Sequence, residues 1–305
     1  MVKRQTHSRS WGDFWAANAA SGGGGCLPSA WQAIDAAQRK VWRRAAQHLP
    51  RKARMLDLAT GDGRVMAAIL AERPDVKATG VDLAPVLPPP PTGTKVRAGV
   101  AMEDLPFHDN SYAAVTSQFG FEYGQTYRVA AETARVLQPD GNVFLLTHRI
   151  DGPILAHNLA RRRQIIWAIE EEDLIGVAKR SLALRSSNLT ALPQKILQAP
   201  EQGARRFGPR SAAWEIAEAV RQTMDLGRTD KPSSVAHLLD TIREKARNEL
   251  GRIASLDAAC QTTANTRQFE DDLAKGGLEQ VSIEPVSEDG SGVPFADFRI
   301  LRILN

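Results

Sequence analysis

The chain has 305 residues, 43% hydrophobic and 24% charged, a globular mix that excludes general disorder. Its formal net charge of +4 is spread too thinly to call for an anionic partner. Two cysteines, Cys26 and Cys260, cannot form a disulfide framework or a zinc site, no apolar run approaches the roughly 20 residues of a bilayer span, and the N-terminus lacks the apolar stretch of a secretory signal, so a cytoplasmic protein with free thiols is expected.

In chain order, Trp11, Phe14 and Trp15 fall at i, i+3 and i+4 and share one face of a predicted helix. The glycine run Gly22–Gly25 breaks it. A second helix is predicted from about Ser29 to Leu49, carried by Ile34, Ala37, Val41 and Ala45 and stopped by Pro50. Residues 1–50 thus form an N-terminal helical segment, either anchored on the core or hinged as a lid over a site.

Strands and helices then alternate. Ala53–Ala59, Val76–Asp82, Val96–Val100, Tyr112–Phe119 and Asn142–His148 read as strands. Val65–Leu70 and Tyr127–Leu137 read as helices, and Gln138–Gly141 as the turn after the second of them. The prolines Pro88–Pro91 predict an extended crossover where a helix would otherwise join the second and third strands. This texture implies a parallel sheet with helices on both faces over residues 51–150.

Residues 151–262 show only helical periodicity, in Ile154–Ile169, Ala213–Met224 and Val235–Leu256. The last carries Val235, Leu238, Ile242, Ala246, Leu250 and Ile253 on one stripe, with Ser233 or Ser234 as its cap. So long an insertion after strand five is expected to build a substrate chamber or an interface between two copies of the chain. Residues 263–305 complete the core: Asn265-x-x-Gln268 reads as a capping box, Gly276–Gly277 ends that helix, and Val281–Val286 and Phe298–Leu304 are the sixth and seventh strands.

The run Leu56–Arg64 (LDLATGDGR) places a glycine turn between a strand and a helix, where nucleotide-like ligands bind. A phosphate-binding loop needs GxxxxGK[ST], which is absent. A dinucleotide fingerprint needs a third glycine where Met66 stands, and Asp62 would face a doubly charged pyrophosphate. S-adenosylmethionine has no phosphate and carries an ammonium and a sulfonium, which suits Asp57 at the strand end. Asp82 ends the next strand, where a carboxylate can take both ribose hydroxyls. NAD sites use that device too, so Asp82 alone does not discriminate.

Asp57–Gly63 (DLATGDG) resembles the first motif of class I S-adenosylmethionine-dependent methyltransferases. Glu103–Tyr112 (EDLPFHDNSY) resembles their AEDLPFPDNSFD segment, and Arg135–Gly141 (RVLQPDG) their RVLKPGG turn, in the branch that includes the ubiquinone/menaquinone-type enzymes. The resemblance covers about 52–149 and 264–305. It implies a Rossmann-like, seven-stranded, mostly parallel α/β sheet with the last strand antiparallel and a large α-helical insertion after strand five. It also implies that Asp57, Ala59, Thr60, Gly61 and Gly63 approach the methionine part of the cofactor. Asp82 and Leu83 would hold the ribose side, Met102 and Glu103 would lie near the adenine, and Ser117, Gln118 and Phe119 would line the pocket beneath the sulfonium. Two departures stand out: Ala59 replaces the first glycine, a mild change, and Ala101 replaces the acidic contact to the adenine amine.

Methyl transfer asks mainly for positioning and electrostatics, with no metal, and for a base only if the acceptor must lose a proton. His148, at the end of strand five, is a candidate base or hydrogen-bond partner, or else a polar residue satisfied by a loop. Tyr123 and Glu122 follow strand four and face the same region. His108 reads as a solvated turn residue and His157 as an ordinary helix residue. Enzymes that methylate base amines carry [DN]PP[YF] where this chain has SQFG, and neither cysteine follows a proline as cytosine C5 chemistry needs. The expected function is methyl transfer from S-adenosylmethionine to a small organic acceptor rather than to nucleic acid or protein. The alternatives are an NAD-dependent oxidoreductase and a non-catalytic S-adenosylmethionine-binding protein.

Overall fold

A computed structural model describes residues 2–20, 31–184, 191–288 and 292–304. Gly22–Gly25 and Cys26, cited above as hinge and free thiol, lie outside these residues. Two compact units are present, one of residues 1–155 with 254–305, the other of residues 156–253.

The first unit holds a seven-stranded sheet in the order β3-β2-β1-β4-β5-β7-β6. The strands are β1 (Arg54–Leu58), β2 (Lys77–Asp82), β3 (Lys95–Ala98), β4 (Tyr112–Gln118), β5 (Leu137–His148), β6 (Leu278–Ser287) and β7 (Pro294–Ile303). β1 to β5 pair in parallel, and β7 runs antiparallel to both β5 and β6, as expected. Helices α1 (Val2–Ala20), α2 (Gln32–Ala46), α3 (Arg64–Glu72), α4 (Thr126–Val136) and α10 (Thr266–Lys275) complete the unit. The central strands are apolar on both faces because helices cover both: Leu56, Val115, Phe121, Val143, Phe269 and Leu301 share one buried cluster. Between β2 and β3 the chain has no helix, as the four prolines require.

The expected turn at Gln138–Gly141 is corrected. β5 begins at Leu137, opposite Tyr112, and residues 138–141 bulge out before Asn142 meets Ala114. Pro139 has no N–H for the ladder, and the bulge takes it out of register while the strand resumes on the same line. The capping box is half realised: the Asn265 side chain accepts the Gln268 backbone N–H, but the Gln268 amide donates onward to Asp272.

The helical unit is narrower than residues 151–262 and has its own core of Trp167, Leu174, Ile175, Met224, Val235 and Leu239. Two helices the periodicity did not single out, α6 (Leu174–Leu184) and α7 (Gln194–Phe207), contribute to it with α8 (Ala212–Leu226). α5 (Pro153–Ile166) passes into a π-helical stretch, Trp167–Glu171, closed by Glu172 N–H donating to the Trp167 carbonyl at 2.8 Å. α9 (Pro232–Ala264) corrects two expectations. Pro232 is its first residue, so Ser233 and Ser234 lie inside the first turn rather than at the cap. Leu239, not Leu238, is buried on the stripe, because a 3.6-residue period carries the row from 235 to 239 to 242; Leu238 is 52% exposed. Among the described residues no helix is long and apolar enough to cross a membrane.

Candidate active site

β1 ends at Leu58 and the chain turns through Ala59–Gly63 into α3. Ala59, Gly61 and Gly63 all take left-handed backbone, with φ of 51°, 52° and 74°. Glycines suit the last two positions. Ala59 does not, and an L-residue there costs roughly 1–2 kcal/mol, so the substitution that looked mild in sequence stores strain in the turn.

Buried hydrogen bonds hold the turn. Asp57 is 1% exposed; its two carboxyl oxygens accept from Thr60 Oγ1 and Thr116 Oγ1, each at 2.7 Å. Burial pushes this carboxyl up to about 7, against the two hydroxyl bonds. Asp57 thus lies enclosed beneath the turn and shapes it through Thr60. Asp82 ties the tips of β1 and β2 together: one oxygen accepts the Gly61 N–H at 3.0 Å and the other the Ala84 N–H at 2.9 Å. Burial raises its pKa too, with the backbone N–H groups opposing. Leu83 beside it is 51% exposed and Val86 49%, two apolar side chains facing outward at a strand tip. Asp62 holds Arg64 at 2.7 Å, which neutralises the guanidinium nearest the turn. The Trp15 indole lies directly on the turn, so a Cβ added to Gly61 would fall inside the ring; one on Gly63 would meet Pro91.

The tip of β4 forms the second half. Gln118 turns its side chain to α2, accepting from Trp42 Nε1 and donating to Gln38 Oε1. Phe119 is left-handed, φ 54°, and its ring stacks on His148 with centroids 4.1 Å apart. A short 3-10 turn, Phe121–Tyr123, then aims Glu122 inward. Glu122 Oε1 accepts the His148 backbone N–H at 2.9 Å and lies 2.8 Å from His148 Nδ1. In the tautomer that donates from Nδ1 to this oxygen, Nε2 is the ring nitrogen left to accept. Glu122 Oε2 is buried with no hydrogen-bond partner among the described residues. Tyr123 meets His148 edge-on at 5.8 Å and Trp11 at 5.9 Å, and Thr263 Oγ1 donates to the His148 carbonyl at 2.8 Å.

The structure therefore gathers Phe119, Glu122, Tyr123 and His148 at one place, and Ala59, Thr60, Gly61, Gly63, Asp82 and Leu83 at a neighbouring strand tip. Met102 packs against the core, and Glu103 Oε1 accepts the Gln125 N–H at 2.9 Å. His108 is exposed, and His157 belongs to the helical unit. Sequence reasoning missed Thr116 and Thr263, whose isolated hydroxyls carry no local signal. It saw the aromatic face of α1 but not that Trp15 lands on Gly61.

Residues 56–145 match a family model described as a methyltransferase domain. This stretch is similar to that family's domain. It contains both halves of the site up to, but not including, His148. A demethylmenaquinone methyltransferase of Deinococcus radiodurans is 37% identical over 119 residues, which cover 34% of this chain and 48% of the relative. Its namesake from Thermus thermophilus is 37% identical over 116 residues, covering 34% and 53%. The chain thus spans about half the length of these curated relatives. The crystal structure of an S-adenosylmethionine-dependent methyltransferase from Mesorhizobium loti aligns with TM-score 0.33 at 20% identity, over 39% of this chain and 56% of that one, a likeness too slight to build on.

Proposed function

We propose that this chain transfers a methyl group from S-adenosylmethionine to a small organic acceptor. The observation that carries the reading is the glycine turn held to Asp82 at the tips of β1 and β2, with the adjacent Arg64 paired to Asp62. A carboxylate at the turn beside an already paired guanidinium suits a cationic, phosphate-free ligand better than a pyrophosphate. Bound there, S-adenosylmethionine supplies a methyl group already activated on a positively charged sulfur, for in-line displacement. Asp82 retains lone pairs beyond its two backbone N–H bonds with which to accept from ribose hydroxyls. Leu83 offers an apolar face to the base. Asp57 keeps Thr60, and with it the turn, in place. Met102, Glu103 and the backbone near Gln118 complete the pocket.

On the acceptor side, His148 Nε2 takes the proton of the attacking group, while Glu122 holds the ring by Nδ1 and Phe119 and Tyr123 fix its plane. Helix α1 reaches both halves, Trp15 over the turn and Trp11 against Tyr123.

Thermal unfolding with S-adenosylhomocysteine or with NAD tests the donor assignment. Ligand at a hundred times its dissociation constant should add about 2.7 kcal/mol. Stabilisation by NAD and none by S-adenosylhomocysteine would reverse the reading. Labelled methyl transfer into a metabolite extract, compared with His148→Asn, tests the acceptor half; equal transfer by both proteins would remove His148 from the chemistry.

A further inference from the structure

Among the described residues Arg299 is the only arginine or lysine that is buried, at 1% exposure. It stands on β7 opposite Leu145, two residues from Asp297, which lies opposite Thr147. Its Nε donates to Thr147 Oγ1 at 3.1 Å and its Nη1 to Gln280 Oε1 at 2.6 Å, and the guanidinium lies 5.0 Å from the centre of the Phe269 ring. These hydrogen bonds go to neutral groups. The nearest carboxylate oxygen, on Asp297, stands off at 3.7 Å, and Arg149 holds the other oxygen of that carboxylate at 2.6 Å. A buried charge persists only where opposite charge offsets its lost hydration. Burial pushes the Arg299 guanidinium down, and Asp297, Glu122 and Glu270 oppose the shift in that order.

Glu122 has the matching need. Its side chain is 0% exposed, and Oε1 accepts the His148 backbone N–H and faces His148 Nδ1. Cys260, whose thiol burial pushes up to about 12 with Glu122 adding to the shift, brings it no charge. A carboxylate can only accept hydrogen bonds, so beside an ionised Glu122 the neutral imidazole carries its proton on Nδ1 and accepts at Nε2. A protonated Glu122 would donate to Nδ1 instead, and the ring proton would block Nε2.

We propose that Arg299 is a positioning residue for the acceptor half of the site: its buried charge keeps Glu122 ionised and thereby holds His148 in the tautomer whose Nε2 can take a proton. The inference rests on the reading of His148 as the acceptor-side base.

Long-range proton–nitrogen NMR of the full chain, labelled at histidine and held at pH 8, reads the tautomer; His148→Asn identifies the signal. The wild type carries the proton on Nδ1. Arg299→Met, which leaves Glu122 without its counter-charge, moves it to Nε2. Arg299→Lys, which keeps the charge and loses the planar fork, leaves it on Nδ1. A purely structural arginine would make the two variants alike. Adding Glu122→Gln to Arg299→Met removes the unbalanced charge and raises the melting temperature above that of Arg299→Met. Methyl transfer by Arg299→Met drops by about two orders of magnitude, as for a lost base, with S-adenosylhomocysteine affinity unchanged. A wild-type proton on Nε2, one tautomer shared by the methionine and lysine variants, or a double variant no more stable than Arg299→Met would overturn the proposal. The stated tautomers without methyl transfer by the wild type would refute the proposed function alone.

Discussion

Asp57→Asn should change how stability depends on pH, and by an amount the structure sets. The folded carboxyl titrates at about 7 against an ordinary value of 3.8, because burial disfavours the charge more than Thr60 and Thr116 favour it. Below pH 3.8 the group is protonated in both states and its contribution is complete. As pH rises towards 7 the unfolded chain ionises while the folded one holds its proton, and stability falls by about 1.36 kcal/mol per pH unit. Above 7 the loss levels off. Between pH 5 and pH 8 the wild type should therefore lose about 3 kcal/mol that Asp57→Asn keeps. The asparagine retains an oxygen for one threonine and offers an N–H to the other. The protonated aspartate has the same option, since Thr116 Oγ1 also reaches the Leu56 carbonyl at 3.4 Å. Urea unfolding of both proteins at several pH values, followed by circular dichroism, isolates the term because all other groups are shared. Parallel curves would show that the carboxylate stays ionised through neutral pH and would refute the balance drawn here.

Gly61→Val should abolish stabilisation by S-adenosylhomocysteine, because its side chain meets the Trp15 ring on a left-handed backbone; an unchanged thermal shift would put the donor elsewhere. Ala59→Gly should relieve strain worth about 1–2 kcal/mol and give back about 0.5–1 kcal/mol in chain entropy, so its melting temperature should match or exceed the wild type, and a clear drop would show that the alanine methyl is needed for packing. Glu122→Gln should lower kcat about a hundredfold, the lower end for a disabled base, with donor affinity unchanged; a loss confined to donor affinity would place Glu122 on the wrong ligand.

Much of this was legible along the chain. Strand positions came from apolar runs such as Asn142–His148, and the extended crossover from four consecutive prolines, because both signals are local and act on the backbone directly. Asp82 could be placed at a strand tip by counting from Gly63. What could not be read depends on contacts between distant residues. Nothing near Thr116 announces that its hydroxyl meets Asp57, 59 residues away in sequence. Gln118 was placed under the cofactor by position, yet its side chain turns to Trp42 and Gln38, since a strand-end residue can face either way. Leu238 and Leu239 both fit a helical stripe, and only the packed core of the helical unit chooses between them. The bulge at 138–141 looked like a turn because prolines and glycines mark both, and only the pairing of Leu137 with Tyr112 shows the strand starting before it.

Trp15, Phe14, Trp11, Tyr123, His148 and Phe119 follow one another with ring centroids 4.1 to 5.9 Å apart. Chromophores that close couple their electronic transitions, so the stretch from Trp15 through Phe14 and Trp11 to Tyr123 is an optical antenna beside the site. Any molecule that pushes the first indole off its seat on the glycines shortens the antenna, and the near-ultraviolet dichroism of the protein reports the arrival without a label.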